Sequence, residues 1–290
     1  MTRTVRVAAF QALTRREGAP GDYAAQNLAD ALDAVREAAR RGAQVLCFPE
    51  CHPLRFAGID PDAALARMQQ AARDSRIHLI CGGLAPASGG RWFNNLYLVG
   101  PDGALLHTYS RSQPAADDID RVLFGGLVQP GEAPRVVETE FGRVGMLVCS
   151  EIFSPELPRL LALQGCELLF APVGGMVYEL EDAWRVMLRA RAIENHLHVI
   201  TCQNLITPPG NGPERGIASI VTPEGVAAAR TDPGLVIATL DLDRLAWLRS
   251  HEETLELPKP WGTIPGLLAW RRPSLYGPLA AGTGQGMKED

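Results

Sequence analysis

The sequence has 290 residues, of which 46% are hydrophobic, 21% charged and 6% aromatic, as is typical of a globular protein. No uninterrupted apolar run approaches the roughly 20 residues needed to cross a bilayer, so we expect no membrane partner. The formal charge of -5 provides no basic surface for a phosphate backbone and argues against nucleic acid as a partner. The first residues lack the apolar core of a signal peptide, which predicts a cytoplasmic protein.

The cysteine and lysine contents are both informative. The six cysteines lie in apolar segments and none forms a CxxC pair, so we expect neither a disulfide framework nor a zinc site. Nearly all basic residues are arginine, because Lys259 and Lys288 are the only lysines. This scarcity limits the candidates for any site that requires a lysine.

Predicted strands and helices alternate along the chain, as judged from the spacing of apolar residues. Asp60 followed by Pro61 is typical of a helix start, and glycine-containing turns separate several paired strands. In chain order the sequence predicts a strand at 5–11, a helix at 22–41, a strand at 45–48, a helix at 60–75, strands at 77–84, 95–99, 105–109, 136–140 and 144–149, a helix from 154, a strand at 168–172, a helix at 182–195 and a strand at 199–204.

This interleaving predicts one α/β domain rather than several domains. We place the domain at residues 1–257, because no low-complexity linker interrupts it. The remainder, residues 258–290, is rich in proline and predicts an extended C-terminal arm.

Cys149 is the candidate nucleophile. It ends a predicted strand and is followed by Ser150, Glu151 and a helix that begins near Pro155. Such a strand–turn–helix exposes a side chain at a sheet edge and offers backbone N–H groups to a developing oxyanion. The positive end of the turn and helix also lowers the pKa of a thiol. The alternative at this point is that Cys149 is one more small buried hydrophobic residue.

Glu50 is the candidate general base. It follows Pro49 at the end of an apolar strand, where a carboxylate is either solvated or held at the carboxyl edge of a sheet. Partial burial would raise its pKa toward neutrality and suit it to deprotonate a thiol. The sequence leaves both interpretations open.

Five motifs in order along the chain resemble those of the nitrilase, or carbon-nitrogen hydrolase, superfamily. They are residues 48–50, 142–151, 189–195, 219–225 and 241–245. The first is similar to the general-base motif of the family and the second to its nucleophile motif. The resemblance implies an αββα sandwich that assembles as a homodimer or larger homo-oligomer. It also implies a Glu-Lys-Cys catalytic set that acts on non-peptide C–N bonds without metal or cofactor.

Arg111 departs from the family pattern, because it stands where the lysine is expected. A guanidinium keeps a positive charge beside Cys149 but cannot pass on a proton. In one interpretation Arg111 and the backbone N–H of Ser150 hold an oxyanion. In the other interpretation, Arg111 only forms an ion pair with Glu50 in a site that has no catalytic activity.

A second acid of the family, usually a glutamate seven or eight residues after the lysine, is also missing. The nearest acids are Asp117, Asp118 and Asp120. We choose Asp118 as the candidate second acid.

These residues predict a hydrolase in which Glu50 takes the proton of Cys149 and the thiolate forms a thioester with a small-molecule substrate. The substrate would be an amide, a nitrile or a carbamoyl compound. Two alternatives remain: an acyltransferase that passes the acyl group to an amine, and a catalytically silent homologue that binds a ligand or a partner protein. The sequence does not identify the substrate, because we expect variable loops at 112–132 and 174–182 to line the pocket.

Overall fold

The computed structural model describes residues 2–16, 19, 21–175, 181–207, 215–250, 268 and 271–280. The strands are β1 (Thr4–Arg15), β2 (Val45–Cys47), β3 (His78–Pro86), β4 (Trp92–Val99), β5 (Leu105–Ser110), β6 (Val137–Thr139), β7 (Gly142–Met146), β8 (Leu168–Phe170), β9 (His198–Thr201), β10 (Asn204–Thr207), β11 (Ala218–Val221), β12 (Val226–Arg230) and β13 (Gly234–Asp241). The helices are α1 (Tyr23–Arg40), α2 (Pro61–Ser75), α3 (Asp117–Phe124), α4 (Glu156–Leu163), α5 (Glu181–Asn195), α6 (Leu242–Ser250) and α7 (Gly277–Ala280).

The strands form two mixed sheets, which make up the two central layers of an αββα sandwich. One sheet has the strand order β10-β1-β2-β3-β4-β5, with β13 also paired to β1, and the other has the order β12-β11-β9-β8-β7-β6. The seven-stranded sheet contains four consecutive parallel strands, β10-β1-β2-β3, and the six-stranded sheet contains three, β7-β8-β9. The carboxyl ends of parallel strands share one edge of a sheet, so the segments after β2, β7 and β8 lie at such edges.

The outer layers are helices whose starts are set by local sequence. The carboxylates of Asp22 and Asp60 accept hydrogen bonds from backbone N–H groups in the first turns of α1 and α2, which is the usual capping role of aspartate. Both helices pack onto the seven-stranded sheet through a core that includes Val35, Met68 and several alanines. Helices α4 and α5 contact each other, and α5 packs against β9 and β11 of the six-stranded sheet.

The structure confirms the α/β sandwich and most of the predicted elements, but one strand prediction is wrong. Residues 199–204 do not form a single strand, because β9 ends at Thr201 and β10 begins at Asn204. These two strands belong to different sheets, so the chain crosses the sandwich at Cys202 and Gln203. Apolar residues predict burial in this segment, but burial alone does not specify which sheet a strand joins.

The chain separates into two compact units, residues 1–245 and 246–290. In the second unit the described residues include a 3-10 helix at Pro273–Leu275 and helix α7. Most of the predicted arm at 258–290 lies outside the described residues, so the arm and its boundary stay predictions. Within the part of the chain that is described, no helix combines the length and the apolar character needed to cross a membrane.

Candidate active site

The candidate nucleophile occupies a tight turn at the edge of the six-stranded sheet. Cys149 follows β7, begins a 3-10 helix at Cys149–Phe153 and has a φ of 53°. Its N–H donates a hydrogen bond to the carbonyl oxygen of Pro172, 2.9 Å away, which helps to hold this left-handed backbone. Of the six cysteines, all of them among the described residues, Cys149 is the one that is partly exposed. A strained, accessible turn of this kind is common at functional sites.

The candidate base, Glu50, comes from the other sheet, where it follows β2. It is buried, with 5% exposure, so the solvated interpretation is excluded. The side-chain amide of Asn94 donates to its Oε1 over 2.7 Å, and that of Asn204 donates to its backbone carbonyl over 2.9 Å. Gly174 lies against the carboxylate so closely that a Cβ there would overlap Oε2. Neither asparagine was expected at this site from the sequence.

Arg111 lies directly after β5 and is 2% exposed. One Nη atom is 3.6 Å from Glu50 Oε1, the other donates to Ser150 Oγ, and Nε donates to the carbonyl of Gln113 over 2.8 Å. Burial on its own would lower the pKa of this guanidinium, but the charges of Glu50 and Cys149 raise the pKa above its ordinary value. A permanent cation is therefore fixed between the base and the nucleophile turn.

The electrostatics around Cys149 favour a protonated thiol at rest. Burial and the negative charge of Glu50 raise its pKa to about 12, whereas Arg111 and a backbone hydrogen bond from Gly174 act in the opposite direction. The influence of Glu50 on this pKa shows that the carboxylate lies near the sulfur. A carboxylate in that position can serve as a base for the thiol.

Glu151 is a second buried carboxylate, and its importance was missed in the sequence analysis. It accepts hydrogen bonds from the hydroxyl of Tyr109, from the backbone N–H and hydroxyl of Ser112, and from the backbone N–H groups of Gln113 and Val148, at 2.7–2.9 Å. These donors come from the two segments that carry Arg111 and Cys149. Glu151 therefore ties the two segments together.

The candidates for the second acid lie in helix α3. The side chain of Asp118 lies outside the described residues, so its choice as second acid stays a prediction. Asp120 is 1% exposed, and its Oδ1 has no hydrogen-bond partner among the described residues. Burial raises the pKa of Asp120, and the charge of Arg111 opposes that shift. Asp120 therefore lies within electrostatic reach of the candidate site.

Comparison with known proteins gives consistent results. The family model for carbon-nitrogen hydrolase matches residues 6–250. The omega-amidase NIT2 of Xenopus tropicalis is 29% identical over 239 residues, which are 78% of this chain and 87% of that protein.

Two solved structures illustrate the structural similarity. An amidase variant from Nesterenkonia sp., with acrylamide added at its active-site cysteine, is 25% identical with a TM-score of 0.70, and the match covers 85% of this chain and 97% of that one. A carbon-nitrogen hydrolase from Helicobacter pylori has a TM-score of 0.78 at 18% identity, covering 96% and 98% of the two chains. The second likeness concerns the fold alone.

Proposed function

Because the chain belongs to the carbon-nitrogen hydrolase family, we propose that it hydrolyses small amides through a thioester on Cys149. One observation carries the proposal: buried Arg111 lies 3.6 Å from the Glu50 carboxylate and donates to Ser150, the residue after Cys149, so that base, cation and nucleophile turn meet at one place. Among the substrate classes left open by the sequence, the names of the relatives, omega-amidase and amidase, favour amides.

In the first half-reaction Glu50 takes the thiol proton, and the thiolate attacks the carbonyl carbon of the amide. The oxyanion that forms is stabilised by Arg111 and by the backbone N–H of Ser150, which lies in the first turn after Cys149 and has no acceptor within that turn. The carbon–nitrogen bond then breaks, Glu50 returns the proton to the leaving nitrogen, and ammonia departs. The acyl group stays on sulfur as a thioester.

In the second half-reaction Glu50 takes a proton from water, and the resulting hydroxide attacks the thioester carbon. The carbon–sulfur bond then breaks, a carboxylic acid is released, and Glu50 returns the proton to the thiolate of Cys149. Every proton transfer is assigned to Glu50, because a guanidinium does not give up its proton in the working pH range. The role of Arg111 is then purely electrostatic.

We propose Asp120 as a further candidate for the second acid beside Asp118, whose side chain lies outside the described residues. A buried carboxylate oxygen without a hydrogen-bond donor is free to accept one from an N–H of the substrate amide. Such a bond would orient the amide toward Cys149.

The direct test is ammonia release from a panel of primary amides, combined with intact mass spectrometry of the protein after mixing. Wild type should release ammonia and carry an acyl adduct, and Cys149→Ala should do neither. Cys81→Ala is the matched control, because Cys81 is buried in the sheet core and should still form the adduct. An adduct that persists in Cys149→Ala would overturn the proposal.

Two alternatives are separated by the same assay. If added amines capture the acyl group in preference to water, the protein is an acyltransferase. If no amide gives either ammonia or an adduct, the silent-homologue interpretation gains support.

We also propose that the protein is cytoplasmic and that it forms a homodimer or larger homo-oligomer, the assembly that the family resemblance implies. Light scattering at micromolar concentration tests the assembly. A mass of 31.3 kDa, that of one chain, would contradict it.

A further inference from the structure

Asn204 connects two segments of the candidate site. Its side-chain amide nitrogen donates to the backbone carbonyl of Glu50 over 2.9 Å, and its backbone N–H donates to the carbonyl of Gly174 over 3.1 Å. A Cβ on Gly174 would lie 2.4 Å from Oε2 of Glu50, so the Gly174 backbone limits where the carboxylate can lie. Asn204 therefore holds both the segment that carries the candidate base and the segment that packs against its carboxylate.

The backbone next to Glu50 is strained and requires such support. Cys51 has a φ of 60°, a left-handed conformation that costs free energy for a residue with a side chain. The Glu50 carbonyl belongs to the peptide unit just before Cys51, so the hydrogen bond from Asn204 fixes the plane from which this turn starts. On the other side the turn packs against β3, where a Cβ on Gly82 would lie 2.5 Å from the nitrogen of Cys51. The position of Glu50 therefore depends on contacts from both sides.

The hydroxyl of Thr14 sets the orientation of the Asn204 side chain. Thr14 lies in β1 and is fully buried, and its Oγ1 donates to Oδ1 of Asn204 over 2.6 Å. The carbonyl of Glu50 can only accept a hydrogen bond, so the amide must turn its nitrogen toward Glu50 and its oxygen toward Thr14. Removal of the hydroxyl would take this donor away from a buried oxygen and loosen the amide that holds Glu50.

His52 lies on the other side of Thr14 and completes the network. Its Nδ1 is 3.3 Å from Oγ1 of Thr14. A hydroxyl has one proton, and Thr14 donates that proton to Asn204, so the hydrogen bond to His52 requires a proton on Nδ1. His52 is buried, and burial lowers its pKa to about 3, so the ring is neutral near pH 7. The network therefore specifies one tautomer of His52.

We propose that Asn204 is a positioning residue for Glu50 and that Thr14 acts through it by fixing the direction of its amide. In this role neither side chain touches the reacting atoms, and both determine where the Glu50 carboxylate lies relative to Cys149. A shift of about 1 Å in a catalytic group can lower a rate by about 10². Loss of the network should therefore slow the chemical step and leave substrate binding almost unchanged. This inference rests on the proposed function and adds β1 and β10 to the parts of the chain that the reaction requires.

The test replaces Thr14 with valine, which keeps the shape and the strand preference of the side chain and removes the hydroxyl. With the primary amide that wild type cleaves fastest, Thr14→Val should lower kcat by about tenfold or more and change KM by less than about twofold. Thr14→Ser keeps the hydroxyl and should recover most of the rate.

Thr201→Val is the matched control. Thr201 is also fully buried in a strand, and its hydroxyl donates to the backbone carbonyl of Ala171 over 2.8 Å. Both valine variants therefore remove one buried hydroxyl, but only Thr14 is bonded to Asn204. Thr201→Val should keep kcat within about twofold of wild type. Equal losses of kcat in the two valine variants would overturn the proposal.

A second comparison separates positioning from a general loss of structure. If Thr14 acts through Glu50, adding Thr14→Val to Glu50→Gln should slow ammonia release by less than about twofold beyond Glu50→Gln alone. A further loss of about tenfold would mean that the hydroxyl acts independently of the base, and the proposal would be wrong.

The tautomer of His52 gives a readout that does not depend on turnover. Long-range proton–nitrogen NMR correlation should show a proton on Nδ1 and none on Nε2 in wild type. A proton on Nε2 would mean that Thr14 donates to His52 instead of Asn204, which overturns the network. If wild type and Thr14→Val cleave amides equally well, the positioning role is wrong and the amidase proposal stands. If no amide is cleaved, the amidase proposal fails, and the proton on Nδ1 or Nε2 still supports or overturns the network that holds Glu50.

Discussion

Two buried glutamates lie at the candidate site, and their surroundings differ. Glu151 accepts hydrogen bonds from donors on four residues. Glu50 accepts one at 2.7 Å from Asn94, with Arg111 at 3.6 Å and Gly174 against its second oxygen. Many donors hold a carboxylate in one orientation between the segments that supply them, whereas a carboxylate with a single side-chain amide donor keeps lone pairs that can accept a hydrogen bond from a substrate or a thiol. The number of hydrogen-bond donors therefore distinguishes Glu151, to which we assign a structural role, from Glu50, which we propose as the base.

Glu50→Gln should produce the largest effect, because it removes the base while keeping the size of the side chain. We expect the acylation rate to fall by about 10² to 10⁴, with the unfolding midpoint almost unchanged. Stopped-flow measurement of adduct formation checks the rate. A loss below roughly tenfold would mean that another group deprotonates Cys149.

Arg111→Met should reduce turnover by about 10² or more, as removal of one oxyanion donor usually does. Arg111→Lys should recover part of the rate, because it restores the charge. Ammonia release measured on one substrate panel compares the three proteins. Full activity in Arg111→Met would refute the electrostatic role. Activity that appears in Arg111→Lys but not in wild type would instead support the interpretation that the wild-type site has no catalytic activity.

Glu151→Gln should lower the free energy of unfolding, and this should be a more direct effect than any change in the reaction rate. The new amide group would point its own N–H at existing donors, and we expect a loss of about 2–4 kcal/mol in the free energy of unfolding. Urea denaturation followed by circular dichroism measures this change. If Glu151→Gln and Glu50→Gln lower stability equally, the distinction between the two acids is lost.

Tyr109→Phe should have the smallest effect, about 1 kcal/mol, because it removes one donor to Glu151. Burial and the charge of Glu151 raise the pKa of Tyr109 in the folded protein. The folded state then holds the phenol proton to higher pH than the unfolded chain does, so wild-type stability falls above about pH 10. The variant should lack this contribution, and its stability curve in alkaline buffer should be flatter.

The fold was largely predictable, because its elements carry local signals. The capping aspartates Asp22 and Asp60 marked two helix starts that the structure confirms. Two features had no such signal. Helix α3 lies in a segment that we expected to be a variable loop, and the crossing at Cys202 depends on which sheet offers a partner strand. Pairing between distant strands is a tertiary property, so apolar spacing does not reveal it.

The position of a candidate residue was predictable where it lies within a few residues of a strand end, as Glu50 and Cys149 do. The structure brings these two and Arg111 together, although their roles await the tests above. Asn94 and Asn204 were not predicted, because an amide that orients a carboxylate has no characteristic spacing in sequence. Glu151 lies within the nucleophile motif, but most of its donors come from a segment about 40 residues away.

The candidate site is divided between two sheets, and this affects when the site can form during folding. Glu50 and Arg111 follow strands of one sheet, while Cys149 and Gly174 follow strands of the other. A chain that has completed one sheet but not yet closed the sandwich therefore holds a thiol without its base. Under the proposed function, ammonia release therefore requires that the two sheets are packed together.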